Sequence, residues 1–188
     1  MLKRFHYNAP VILTYTILSF IVLIIGEATN FASTRLLFSV YRGSLTDVFF
    51  YFRLFGHVLG HADWNHYLSN FLIILIIGPM LEEKYGSKNL FIMIATTALV
   101  TGLLNILLFD TGLLGASGIV FMFILLGSFA NIQKGRIPIT LILVVVVYLG
   151  MEFADAIFQK DNISQLTHIA GGIFGCIFGF MLQSGRRS

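Results

Sequence analysis

The chain has 188 residues, of which 57% are hydrophobic and 11% are charged, and its formal net charge is +3. This composition excludes an ordinary soluble domain. Because a membrane-spanning helix takes ~20 mostly apolar residues, the length allows five or six spans in one domain over residues 1–188. Nucleic-acid binding is not expected, because no basic cluster with interleaved aromatic residues occurs. The lone Cys176 provides no disulfide framework.

Six apolar stretches predict an all-α, polytopic membrane protein. They run from about Pro10 to Gly26, Asn65 to Leu81, Leu90 to Phe109, Ser117 to Gln133, Ile137 to Phe158 and Thr167 to Leu182. The first stretch follows the polar and basic residues 1–9, as in a signal peptide. No small-residue cleavage site follows it cleanly, which favours a retained span.

The long segment between the first two spans, from about Glu27 to Asn65, is too polar to cross the membrane and too apolar to be a solvated loop. It is rich in Phe, Tyr and Leu but carries several charges: Arg35, Arg42, Asp47 and Arg53. This mixture predicts short amphipathic helices that lie in the membrane interface.

Basic residues predict the orientation. Six spans place both termini on one side, with eight basic residues: Lys3, Arg4, Lys84, Lys88, Lys134, Arg136, Arg186 and Arg187. The other side receives four: Arg35, Arg42, Arg53 and Lys160. The positive-inside rule therefore predicts cytoplasmic N- and C-termini. We expect an integral protein of a bacterial inner membrane whose polar site opens to the non-cytoplasmic face.

A serine between glycines begins the fourth span, in the sequence Gly115-Ala116-Ser117-Gly118. Glycine costs a helix roughly 1 kcal/mol relative to alanine but permits close backbone approach. Such a patch either packs helices together or presents Ser117 for chemistry. The segment from Gly118 to Ala130 is only ~20 Å long as a helix, against a hydrocarbon core of ~30 Å. We therefore expect Ser117 several ångströms below the outer boundary, in a depression lined by spans 2, 4 and 6.

His168 opens the sixth predicted span and is the candidate general base. A serine needs an adjacent base, and a neutral imidazole suits that role near pH 7. The same helix carries glycines at intervals of four: Gly171, Gly175 and Gly179. Close contact of this stripe with Gly118 would bring His168 within hydrogen-bond reach of Ser117. The alternative is that the stripe only packs and that His168 is a polar interface residue.

His66 and Asn70 are spaced i, i+4 and therefore share one helix face. Both offer side-chain donors without a fixed charge, which suits an oxyanion hole. Alternatively they only join helices, at about 1 kcal/mol.

A second i, i+4 pair, His57 and His61, lies near Asp63 and raises the possibility of a metal site. We expect no metal and no cofactor, because the metalloprotease pattern is absent and Asp63 is better placed as a helix cap. No acidic residue neighbours His168 in sequence, although Asp155 and Asp161 are candidates to orient it. The leaner expectation is a Ser-His dyad.

Together these residues resemble the rhomboid family of intramembrane serine proteases, from Arg53 through Gly179. The matching segments are Gly115-Ala116-Ser117-Gly118, His168-Ile169-Ala170-Gly171 with Gly175, His66 with Asn70, Phe52-Arg53, Glu82 with Gly86, and His57 with His61. The resemblance implies that Ser117 is the nucleophile and His168 the base. It implies an oxyanion hole of His66, Asn70 and the Ser117 N–H. Phe121 stands where the family usually has a tyrosine against the base.

The resemblance further implies the minimal six-helix form, without a soluble N-terminal domain or a seventh helix. Spans 2, 4 and 6 would surround a hydrated cavity, and span 5 would gate sideways entry. The implied activity is that of a serine endopeptidase. Its substrates would be single-span membrane proteins, cleaved where their helix unwinds near a small residue in or near the bilayer.

Two other classes of function stay open. One is a catalytically inactive rhomboid-like protein that binds transmembrane segments, although such relatives usually lose Ser117, His168 or Gly115. The other is a channel or transporter that uses His66, His168 and Asn70 as a polar pathway. These polar residues are all predicted near one face of the membrane, which argues against a polar pathway across it.

Overall fold

The computed structural model of the protein describes residues 7–130, 139, 142–143, 146–147 and 162–184. In chain order the described helices are α1 (Pro10–Ala28), α2 (Ala32–Leu37), α3 (Val48–Gly56), a 3-10 turn (His57–Leu59), α4 (Trp64–Tyr85), α5 (Ser87–Leu108), α6 (Ser117–Ala130) and α7 (Asn162–Ser184). The predicted all-helical fold is therefore confirmed in the described part of the chain. α6 packs against α4, α5 and α7.

Three of the described helices, α1, α4 and α5, are long and apolar enough to cross a membrane. Within the described residues, the apolar parts of α6 and α7 are shorter, Ser117–Ser128 and Leu166–Met181. The second predicted span ends at Leu81, whereas α4 has 22 residues and continues past Glu82 to Tyr85. α7 likewise begins five residues before the predicted Thr167. Hydropathy locates the apolar part of a helix, whereas its hydrogen bonds continue into polar residues.

The fifth predicted span falls mostly outside the described residues, as do Lys134, Arg136 and both ends of the chain. Its described residues are helical and exposed: Ile139, Ile142, Leu143, Val146 and Val147. These positions follow the i, i+3, i+4, i+7 spacing of one helix face. The exposed stripe is therefore entirely apolar, as expected of a surface that faces lipid.

Glu82 joins three helices near the start of α1. Its carboxylate accepts hydrogen bonds from the N–H groups of Val11 and Ile12, both at 3.0 Å, and from the hydroxyl of Ser87 at 2.7 Å. The first N–H groups of a helix have no partner within that helix, and a negative charge is favourable there. Glu82, which is only 4% exposed, therefore caps α1 from α4.

Arg53 organises the first loop, residues 29–63. Its side chain is 2% exposed, donates to Asp47 at 2.7 Å and to the Leu36 carbonyl at 3.2 Å, and lies over the ring of Tyr41. The hydrogen bond from Arg53 lowers the pKa of Asp47, and Asp47 also caps α3. The predicted short helices of this loop are confirmed as α2 and α3. A buried guanidinium with partners from three segments holds them together.

The first loop is also joined to the segment that precedes Ser117. Val40 and Leu113 exchange two backbone hydrogen bonds of 2.9 Å. Arg42 forms an ion pair with Asp110 and donates to the carbonyls of Ile106 and Leu107 at the end of α5. Exposed ion pairs contribute little by themselves, but here the same guanidinium also satisfies carbonyls that the helix end leaves unpaired.

Replacing Glu82 by glutamine is expected to lower the free energy of unfolding by about 1–3 kcal/mol, because charge-assisted hydrogen bonds to α1 and Ser87 are weakened. Thermal unfolding in detergent measures this change. Glu83→Gln is the matched control, since Glu83 is exposed on the next position of the same helix and its loss should matter by less than about 0.5 kcal/mol. Equal effects of the two substitutions would contradict the capping role.

Candidate active site

Ser117 is the first residue of α6 and is half-buried. The carbonyl of Ala116 accepts hydrogen bonds from Ile119 and Val120, which starts the helix immediately after the turn. Gly115 has a φ of +122°, a backbone conformation that glycine adopts far more readily than other residues. The sharp turn at Gly115 therefore places Ser117 at the helix N-terminus, where backbone N–H groups point away from the helix.

The glycines of α6 and α7 let the two backbones touch. A Cβ atom added to Gly171 would overlap the backbone of Gly118, and one added to Gly175 would lie 2.5 Å from the Met122 carbonyl oxygen. A Cβ added to Gly118 would lie 3.1 Å from Thr167 Cγ2. The contact thus extends over successive turns of both helices. The expectation that the glycine stripe packs on the serine helix is met by this geometry.

His168 follows Thr167 and lies in the second turn of α7, not in the first turn as the sequence predicted, because α7 begins at Asn162. Its imidazole lies against the Phe121 ring, with a centroid distance of 4.3 Å and an interplanar angle of 43°. Phe121 is four residues after Ser117, so both lie on one face of α6. The imidazole therefore lies beside the face of α6 that carries Ser117. The phenyl ring of Phe121 therefore packs on the imidazole, at the position where the resemblance predicts an aromatic residue.

His66 reaches the same region from α4. A Cβ on Gly115 would lie 2.7 Å from both Cε1 and Nε2 of the His66 ring. The absence of a side chain at Gly115 therefore allows this imidazole to lie directly against the turn before Ser117. The backbone N–H of His66 donates to Asp63 at 2.8 Å, so the predicted cap of this helix by Asp63 is confirmed.

Asn70 lies one turn further along α4 and is buried. Its Nδ2 donates to the His66 carbonyl at 2.9 Å. An amide nitrogen carries two hydrogens, so one N–H of Asn70 remains for a further acceptor while the other fixes the side chain. His66 and Asn70 thus share one end of α4, next to the start of α6.

His57 and His61 lie beneath this region, in the first loop. His57 Nδ1 lies 3.2 Å from the Arg53 carbonyl, and the carbonyl of His57 accepts the Gly115 N–H at 3.0 Å. Burial lowers the pKa of His57 to about 4 and that of His61 to about 3, so both are neutral at pH 7. His61 packs edge-on against His66 at 4.9 Å. These contacts give both histidines a packing role.

No group of three or more His, Cys, Asp or Glu side chains that could hold a metal occurs among the described residues. Asp155 and Asp161, the candidates to orient His168, lie outside them.

Sequence reasoning missed Asn105, which is buried in α5. Its Nδ2 donates to Val40 at 3.2 Å and to Thr111 at 2.9 Å. Asn105 therefore ties both the first loop and the segment leading to Ser117 to one helix. The signal was present as three polar residues at intervals of four within an apolar span: Thr97, Thr101 and Asn105.

Comparisons with known proteins identify the family of this chain. A family model described as Rhomboid domain matches residues 49–185. The chain is 25% identical over 132 residues to "Rhomboid protease GlpG" of Haemophilus influenzae. The aligned segment covers 69% of this chain and 68% of that protein. It is 31% identical over 143 residues to "Rhomboid-related protein 1" of Caenorhabditis elegans, covering 69% of this chain and 39% of the relative.

A third relative, "Rhomboid-like protein 11, chloroplastic" of Arabidopsis thaliana, is 24% identical over 138 residues, with 65% of this chain and 49% of the relative covered. The chain thus spans about two thirds of the bacterial relative and less than half of the other two. With its matching domain and its apolar helices, this chain is an integral membrane protein that belongs to the rhomboid family.

Proposed function

We propose that this chain is an intramembrane serine endopeptidase, acting as a single domain through a Ser117–His168 dyad. The observation that carries the proposal is the backbone contact between α6 and α7 at Gly118 and Gly171. This contact sets His168 beside the face of α6 that carries Ser117, with Phe121 packed on the imidazole. Membership of the rhomboid family, which includes a protein named as a protease, supports the same chemistry.

In the first half of the reaction, Ser117 Oγ attacks the scissile carbonyl carbon while His168 accepts the hydroxyl proton. The tetrahedral intermediate collapses, the C–N bond breaks, and His168 returns the proton to the leaving amine. In the second half, His168 takes a proton from water, whose oxygen attacks the acyl ester. The ester bond to Ser117 then breaks, its oxygen regains the proton from His168, and the second product leaves as a carboxylic acid.

The negative charge of each tetrahedral intermediate needs hydrogen-bond donors that are already in place. The His66 imidazole lies against Gly115, and Asn70 is held by its bond to the His66 carbonyl. The Ser117 N–H belongs to the N-terminus of α6, where the helix dipole also favours an anion. We assign the oxyanion hole to these three groups.

Single-span membrane proteins are the proposed substrates, cleaved in or near the bilayer where their helix unwinds close to a small residue. Such a segment offers backbone carbonyls to Ser117 only after its own helical hydrogen bonds open, because an intact helix keeps them occupied. We place both termini in the cytoplasm and the site towards the opposite face of a bacterial inner membrane. Substrates would enter sideways past span 5, most of which lies outside the described residues.

Ser117→Ala is expected to abolish cleavage of a transmembrane substrate reconstituted with the purified protein, because no nucleophile remains at the α6 N-terminus. Product formation by gel electrophoresis measures it. Ser128→Ala is the matched control: Ser128 lies on the same helix and its hydroxyl donates only to the Ile124 carbonyl at 3.0 Å, so activity should persist. Cleavage by Ser117→Ala would rule the mechanism out. A folded wild-type protein that binds the substrate without cleaving it would favour the inactive, segment-binding alternative.

Asn70→Ala is expected to lower kcat by about 10²–10³-fold with a small change in KM, because an oxyanion donor acts on the transition state. Asn89→Ala is the control, since Asn89 Nδ2 also donates to the carbonyl four residues earlier, at 2.8 Å from Tyr85 O. Both substitutions remove the same kind of bond within a helix. A loss of equal size in both variants would show that helix stability, and not the oxyanion, explains the effect.

A further inference from the structure

A large apolar groove lies between α1 and α5, away from the candidate active site. Its volume is about 710 Å³, and it is lined by α1 between Pro10 and Leu18, by α5 between Ser87 and Ala98, and by Phe55, Val58 and Leu59 of the first loop. This volume falls within the range of small-molecule sites, roughly 300–1,000 Å³. Its lining includes none of the residues assigned to the reaction.

The side-chain hydroxyls in the lining already have partners within the protein. The Tyr15 hydroxyl donates to the Val58 carbonyl at 2.8 Å, and the hydroxyls of Thr14 and Ser87 are also hydrogen-bonded. A polar occupant would be desolvated in the groove without gaining hydrogen bonds, which is unfavourable. An apolar occupant loses nothing by entering. The groove therefore suits a hydrocarbon chain.

The length of the groove matches one leaflet of a bilayer. From Ser87 to Ala98, α5 rises by ~16 Å, and half of the hydrocarbon core measures ~15 Å. The first-loop residues Phe55, Val58 and Leu59 line it as well, whereas the Pro10 and Ser87 end lies where α1 and α5 both begin. A helix that crosses the whole membrane is about twice as long as the groove, but the acyl chain of one lipid fits it.

A positive charge lies where the lipid headgroup would be. Lys88 is exposed and precedes the groove residues Phe91 and Ala95 by three and seven positions, which places all three on one face of α5. We propose that the groove binds one anionic phospholipid of the leaflet at this end, with an acyl chain between α1 and α5 and its phosphate beside Lys88. This binding does not depend on the proposed peptidase activity.

Fluorescence quenching by brominated lipids tests the proposal. The sole tryptophan is first removed by Trp64→Phe. A probe is introduced by Phe91→Trp, which lines the groove, or, as a control, by Ile92→Trp at the next position, which is also exposed but does not line the groove. The protein is placed in phosphatidylcholine vesicles that contain brominated phosphatidylglycerol or brominated phosphatidylcholine at equal fractions. At position 91 the anionic lipid should be preferred about fivefold, the ratio expected from one basic residue near anionic headgroups.

Lys88→Gln should bring this preference at position 91 close to one, Lys88→Arg should retain it, and the control probe at position 92 should show none. Equal preference at the two positions, or no change with Lys88→Gln, would mean ordinary boundary lipid and would overturn the proposal. Lack of quenching by either lipid at position 91 would overturn the proposal as well. It would indicate that a protein segment, such as part of a second copy of the chain, occupies the groove. Native mass spectrometry of the chain without probe substitutions gives an independent readout: retained phosphatidylglycerol should fall about fivefold in Lys88→Gln.

Discussion

The backbone contact between α6 and α7 is the constraint on which the arrangement of the site depends. Gly171 faces Gly118 and Gly175 faces the Met122 carbonyl, so neither position has room for a side chain. Without apolar burial as a driving force between helices in lipid, close packing of small residues is what holds membrane helices together. The same contact fixes the offset between the two helices, and with it the position of His168 relative to Ser117. Packing and the proposed catalysis are thus consequences of the same glycines.

The turn before Ser117 is held by contacts with both the first loop and α4. Gly115 donates to the His57 carbonyl, its missing side chain makes room for His66, and the preceding segment pairs with Val40 of the first loop. Arg53 in turn holds the first loop together from a buried position. A loop that lies over several helices thus serves as a rigid support for the residue that begins α6. Proteins commonly place reactive groups on such supported loops.

Much of this architecture could be predicted from the sequence, because apolar stretches, glycine spacing and i, i+4 pairs are local patterns. These patterns indicate Ser117, His168, His66 and Asn70, and the structure brings the four residues together on three neighbouring helices, α4, α6 and α7. The long-range contacts could not be predicted: nothing local indicates that Glu82 caps α1 or that Asn105 bonds to Val40. Two predicted helix ends, Leu81 and Thr167, were also misplaced, since a helix continues into polar residues beyond its apolar part. One of these polar residues, Glu82, has partners in α1. The assigned roles of the site residues remain predictions.

Covalent labelling by a fluorophosphonate probe in detergent tests the central claim, that His168 activates Ser117, without requiring a substrate. The account predicts labelling of the wild-type protein, none of Ser117→Ala, and a labelling rate about 10²–10⁴-fold lower for His168→Ala, the range expected for loss of a general base. A thermal unfolding profile confirms that each variant is folded. A folded His168→Ala variant that is labelled at the wild-type rate would contradict the account.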